Sequence, residues 1–174
     1  MNNEKNNDDN FLEPEPIDPK KLFNEEEYST LIVNREGFDK KQNQTADLIE
    51  SLFEKKLTRL EQEAIFDALK IANAQKMIVD TIQSTNNTYE QTILCQAAWE
   101  CGLDFSNYFL VFVTLACKED DMLCIEAFTV IDSTETIIST EIITQAIAIV
   151  TNAKKVNPII QNDLLEHLNS RLSE

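Results

Sequence analysis

Glycine is almost missing from this chain: 174 residues hold only Gly37 and Gly102. Sheets and barrels turn on glycine-rich corners, and phosphate-cradling loops need glycine where backbone meets ligand. The shortage argues against both and leaves helices joined by short connections as the easiest structure to build. Three of the four prolines, Pro14, Pro16 and Pro19, crowd near the N-terminus, so the rest of the chain holds only Pro158. Bases are short as well, 15 Lys and Arg against 31 Asp and Glu, for a net charge of -16. Between Met77 and Ala153 the only base is Lys118. A field of that sign repels nucleic acid backbones and anionic membranes. No apolar run approaches the ~20 residues that span a bilayer, and the opening MNNEKNNDDNF lacks the basic and apolar parts of a secretory signal. These shortages predict a soluble, cytoplasmic protein that binds neither nucleic acid nor membrane, with its four cysteines reduced.

What the chain does have is helical periodicity. Residues 1–19 are rich in Asn and acids and too poor in apolar surface to offset the entropy of ordering, which predicts a disordered tail. Residues 20–174 are expected to form one helical domain, opening with a short helix and a loop over 20–44. From Thr45 the spacing of Leu48, Ile49, Leu52 and Phe53 makes a helix stripe. Thr58 and Glu61 have the spacing of a capping box, and the helix they open is expected to run on to the STNNT break at Ser84–Thr88.

The segment Ile93–Ile131, ILCQAAWECGLDFSNYFLVFVTLACKEDDMLCIEAFTVI, holds all four cysteines and the only tryptophan. Ile93, Leu94, Ala97, Ala98 and Cys101 form one stripe. Gly102 then suits the left-handed position past a helix end and Asp104 an N-cap, so CGLD reads as a tight corner between antiparallel neighbours. Phe105 to Cys117 is apolar almost all round, as in a helix buried among others. Asp120 or Asp121 caps the next helix. The Ile- and Thr-rich stretch 134–151 has strand propensity, but Ile138, Ile142, Ile143, Ala146, Ile149 and Val150 keep helical spacing. Asn157 and Pro158 start a last helix. About seven helices result. ILCQAAW, MLCIEAF and EIITQAI align at offsets of 29 and 19, an irregular internal repetition.

From about Thr58 to Leu172 the chain resembles HEAT or armadillo-type helical repeats. AAWECGLDFSNYFLVFVTLACKEDDMLCIEAFTVI is similar to a set of uncharacterised bacterial HEAT-like proteins, in which a Trp-containing helix meets a Gly-Leu-Asp corner and a Phe-rich helix. The resemblance implies an all-α fold of antiparallel helices, stacked as a short HEAT-like α-solenoid or a compact helical domain, with macromolecules bound along its surface.

Chemical sites find little support. Cys95 and Cys101, and Cys117 and Cys124, are spaced too widely for a structural zinc site, whose ligands stand two to four residues apart. They read as small packing residues. The lone His167 reads as an exposed helix histidine. No catalytic residue, metal or cofactor is expected. The best reading is a non-catalytic protein-binding or scaffold module whose partner has a basic or mixed surface. A metal-dependent enzyme with scattered acidic ligands and a purely structural, self-assembling helical protein are the alternatives. Partner-binding candidates are Glu100 and Asp104 at one corner, Glu119, Asp120 and Asp121 at the next, and Trp99, either core or surface anchor.

Overall fold

Side-chain caps set where five of the helices begin. The computed structural model describes residues 40–54 and 57–173. The tail read over residues 1–19 and most of the segment 20–44 lie outside the described residues. Residues 40–51 form α1, which therefore starts ahead of the Thr45 expected. Thr58 caps α2 (Arg59–Ala72) in a full capping box with Glu61. Then follow α3 (Gln75–Ser84), α4 (Thr88–Glu100), a 3₁₀ turn (Ser106–Tyr108), α5 (Phe109–Leu115), α6 (Asp121–Asp132), α7 (Thr140–Asn152) and α8 (Pro158–Leu172). Asn87, Asp120, Ser139 and Asn157 cap α4, α6, α7 and α8, each accepting from a backbone N–H of the first turn. Among the described residues there is no strand, and the chain is all-α.

Several boundaries differ from those read in the sequence. The single helix expected from Thr58 to the STNNT break is two helices, because Asn73 sits in the left-handed region at φ 52° and its N–H closes back on Leu69 and Lys70 carbonyls. Asn tolerates that conformation, since its short polar side chain hydrogen-bonds locally. The stretch Phe105–Cys117 gives only a seven-residue helix after a 3₁₀ turn. Here Asp104 accepts from the Ser106 backbone N–H and hydroxyl, at 2.9 and 3.0 Å, and draws the chain into the tighter turn. α7 begins at Thr140 and not Thr134, whose hydroxyl is spent on the Val130 carbonyl at the end of α6. Gly102 does take the left-handed position past α4, at φ +57°.

The corner at Gly102 does not make its flanking helices close neighbours, contrary to expectation. α4 packs chiefly on α6, two helices further on. The whole packing order follows from that. α3 pairs with α4, α5 with α6 and α7 with α8, as three hairpins. The second helices α4, α6 and α8 lie side by side in one layer, and α5 and α7 in the other. The buried residues lie between these layers: Ile78 and Ile82 on α3, Leu94 and Ala98 on α4, Phe109 and Phe112 on α5, Ala127 and Ile131 on α6, Ile143 and Ala146 on α7, Leu164 and Leu168 on α8. Phe105 meets Phe112 edge to face at 5.5 Å.

The hairpins carry a repeat that the sequence alignment at offsets of 29 and 19 missed. α4, α6 and α8 begin 33 and then 37 residues apart. In that register Leu94, Ala127 and Leu164 coincide, as do Ala98, Ile131 and Leu168, all fully buried. The fourth residue of each helix closes its hairpin. Gln91 Nε2 donates to the Ile82 and Thr85 carbonyls, both at 3.1 Å. Cys124 Sγ donates to the carbonyl of Lys118 at 3.1 Å and lies 3.9 Å from that of Leu115. Gln161 Nε2 donates to the Lys154 carbonyl at 3.0 Å. EIITQAI belongs to α7, in the other layer, and ILCQAAW and MLCIEAF, at an offset of 29 against 33, do not occupy equivalent positions either.

Candidate partner-binding surface

Stacking hairpins in this way separates their turns from the connections between hairpins. The turns 85–87, 116–120 and 153–157 lie along one edge. Glu119 receives Lys154 Nζ at 2.9 Å, and Asp121 Oδ1 receives Asn157 Nδ2 at 2.7 Å, so the start of α6 stands beside the start of α8. Thr88, at the start of α4, shares a shallow cavity of about 340 Å³ with Lys118, Glu119 and Asp120. Three helix N-termini are thus aligned side by side. A larger open cleft, of about 460 Å³, runs between the α3–α4 turn and α5 and is lined by Asn86, Leu110, Thr114 and Lys118.

The six candidate residues divide between the two edges. Glu119, Asp120 and Asp121 belong to the turn edge. Asp120 is the cap, accepting from the Leu123 N–H at 2.9 Å, while Asp121 stands in the first turn and Glu119 is exposed. The Lys154 ammonium holds the Glu119 carboxyl below its ordinary value. Trp99, Glu100 and Asp104 belong to the opposite edge. Glu100 takes both guanidinium nitrogens of Arg59, at 2.8 and 3.1 Å, which ties the start of α2 to the end of α4. Asp104 accepts from Thr136 at 2.8 Å, joining the two connections between hairpins. Hydrogen bonds from the Ser106 N–H, then from Thr136 and the Ser106 hydroxyl, hold its carboxyl below the usual range. Trp99 is half-buried and donates its indole N–H to Glu126 at 2.6 Å, bridging α4 to α6. Trp99, Asp104, Ser133 and Thr136 line a third cavity, of about 270 Å³.

The remaining reactive groups are built into the packing. Cys95, Cys101 and Cys124 are buried and Cys117 half-buried, and all four are free thiols. Burial pushes Cys124 up to about 11 and Cys101 to about 12, and raises Cys95 and Cys117 as well. Among the described residues no three His, Cys, Asp or Glu are placed to hold a metal ion. His167 is not the exposed histidine expected. Its side chain is 21% exposed, stands edge to face on Phe128, lies 3.4 Å from Asp132 and accepts from Arg171 Nε at 2.8 Å. Helix α8 turns that face toward α6, and Arg171 continues across to the Ile131 and Thr134 carbonyls.

Sequence reasoning missed a set of exposed apolar residues. Tyr89, Met122 and Ile159 are each the second residue of α4, α6 and α8. The repeat register reveals them, and that register depends on recognising Gln91, Cys124 and Gln161 as equivalent, three residues of different chemistry.

No described helix is long and apolar enough to cross a membrane. The chain matches no protein-family model, no curated protein and no solved structure.

Proposed function

We propose that this chain is a non-catalytic, HEAT-like protein-binding module of the cytoplasm, which docks a basic or mixed-charge protein along the edge formed by its hairpin turns. The observation that carries the reading is the alignment of the α4, α6 and α8 N-termini on one edge, with Glu119, Asp120 and Asp121 at its middle. Of these, Glu119 and Asp121 are exposed and hold only surface contacts, so most of their charge remains available to a partner. Exposed ion pairs such as Glu119 with Lys154 contribute little to folding, and exchanging them for contacts to a partner costs correspondingly little. Glu100 and Asp104 support the reading less, because they tie connections together within the fold.

The test is recovery of a partner from native lysate on the immobilised full chain. Wild type is expected to retain a protein with a basic surface, and Glu119→Lys with Asp121→Lys to retain less of it. Asp120 is left in place because it caps α6. Retention of nothing beyond what an unrelated acidic protein retains would overturn the reading.

A further inference from the structure

The turn edge carries apolar side chains beside its charge. Tyr89 is 57% exposed, Met122 57% and Ile159 74%, all at the second position of their helices, and Ile125 adds a fourth at 47% one turn along α6. Scattered apolar residues on a surface need no explanation. These recur in the repeat register, on three helices whose N-termini adjoin through Asp121 with Asn157 and through the cavity shared by Thr88 and Asp120. Packed helices stand about 8–10 Å apart, so the three residues form rungs at roughly that spacing.

Resting on the protein-binding reading above, we propose that Tyr89, Met122 and Ile159, with Ile125, form a ladder that docks a basic amphipathic helix crossing the layer of α4, α6 and α8. The spacing favours a helix. Residues seven apart on one helix face are separated by about 10.5 Å, close to the rung spacing, whereas alternate residues of an extended strand stand about 6.7 Å apart. The charge favours a basic partner. Helices α4 and α6 contain no Lys or Arg and α8 only Arg171, which is spent on the Ile131 and Thr134 carbonyls. Toward that edge the same helices carry Glu90, Asp121 and Asp163, beside Glu119 and Asp120 in the turn before α6. The bases on this edge, Lys118, Lys154 and Lys155, are confined to the turns, and Lys154 is paired with Glu119. A second copy of the chain, at a net charge of -16, would face like charge.

The probe is a synthetic helical peptide with Leu at heptad spacing and Lys on its flanks, labelled for fluorescence anisotropy and titrated with the full chain. Binding is expected, and the Y89S/M122S/I159S triple variant is expected to bind about tenfold more weakly or worse, with an unchanged melting temperature. A photo-crosslinking residue in place of Met122 should label the peptide. Equal affinity for the triple variant would overturn the ladder, as would equal affinity for a Lys/Ser peptide of the same charge. Either result leaves the acidic protein-binding reading standing, because that reading fails only on the lysate experiment. Crosslinking from position 122 to residues 1–39 of the same chain, or to a second copy, would also overturn the proposal by assigning the ladder another occupant.

Discussion

Four thiols show how one residue type takes its chemistry from its place in the fold. Cys95 and Cys101 belong to the apolar core, Cys124 is buried against the carbonyls of the α5–α6 turn, and Cys117 sits half-buried at the same turn. Removing them from water penalises the thiolate, so each holds its proton above the ordinary value of 9.0. In the unfolded chain the same groups ionise near that ordinary value. Their contribution to stability is therefore whole below about pH 9 and is lost as pH rises toward about 11 at Cys124 and about 12 at Cys101. The midpoint of urea unfolding is expected to fall steadily above pH 9. In native protein at pH 8, iodoacetamide should modify Cys117 first and leave Cys95 nearly unreacted. Rapid labelling of all four thiols in native protein would show that they are not buried as described. Apolar context was enough to read Cys95 and Cys101 as packing residues, whereas the hairpin-closing place of Cys124 required the fold.

At the scale of the element, the starts of α2, α6 and α8 and the end of α4 were legible, whereas the break at Asn73 and the start of α7 were not. Thr58, Asp120 and Asn157 cap by local side-chain chemistry within three or four residues, and Pro158 suits the first helical position, so spacing alone identifies these starts. Asn73 was overlooked because Asn is a tolerated helix residue, and nothing local marks it as left-handed. The 3₁₀ turn at Ser106–Tyr108 was hidden for a related reason. It rests on Asp104 bonding both forward to Ser106 and across to Thr136, which lies 32 residues away. The hairpin-closing residues offer a test at this scale. Gln91 satisfies two carbonyls from a buried position, so Gln91→Leu is expected to cost about 1–3 kcal/mol. Gln161 Nε2 donates to the Lys154 carbonyl, while its buried Oε1 accepts no hydrogen bond. Gln161→Leu removes that orphaned acceptor along with the bond and should be closer to neutral. Chemical denaturation of the two variants checks the order, and an equal loss in both would contradict the orphaned state of the Gln161 acceptor.

At the scale of the whole molecule, the all-α class followed from periodicity and from the lack of glycine, and the described residues bear it out. The order of packing did not follow. A short corner such as CGLD looks like the inside of a hairpin, yet here it is the connection between hairpins, and the real hairpins close through Gln91, Cys124 and Gln161. Periodicity along one helix says which face is buried and nothing about which helix covers it. The acidic corner Glu119–Asp121 was therefore visible as charge, whereas its position beside the α4 and α8 N-termini, and the apolar rungs next to it, required the stack. Two edges now compete as the place where a partner docks. Amide NMR of the isotopically labelled full chain, titrated with the Leu/Lys helix, decides between them most directly. The account predicts shift changes concentrated at residues 88–93, 117–126 and 156–163, leaving residues 99–106 and 133–139 nearly unmoved. Changes centred on Trp99, Asp104 and Thr136 instead would contradict it.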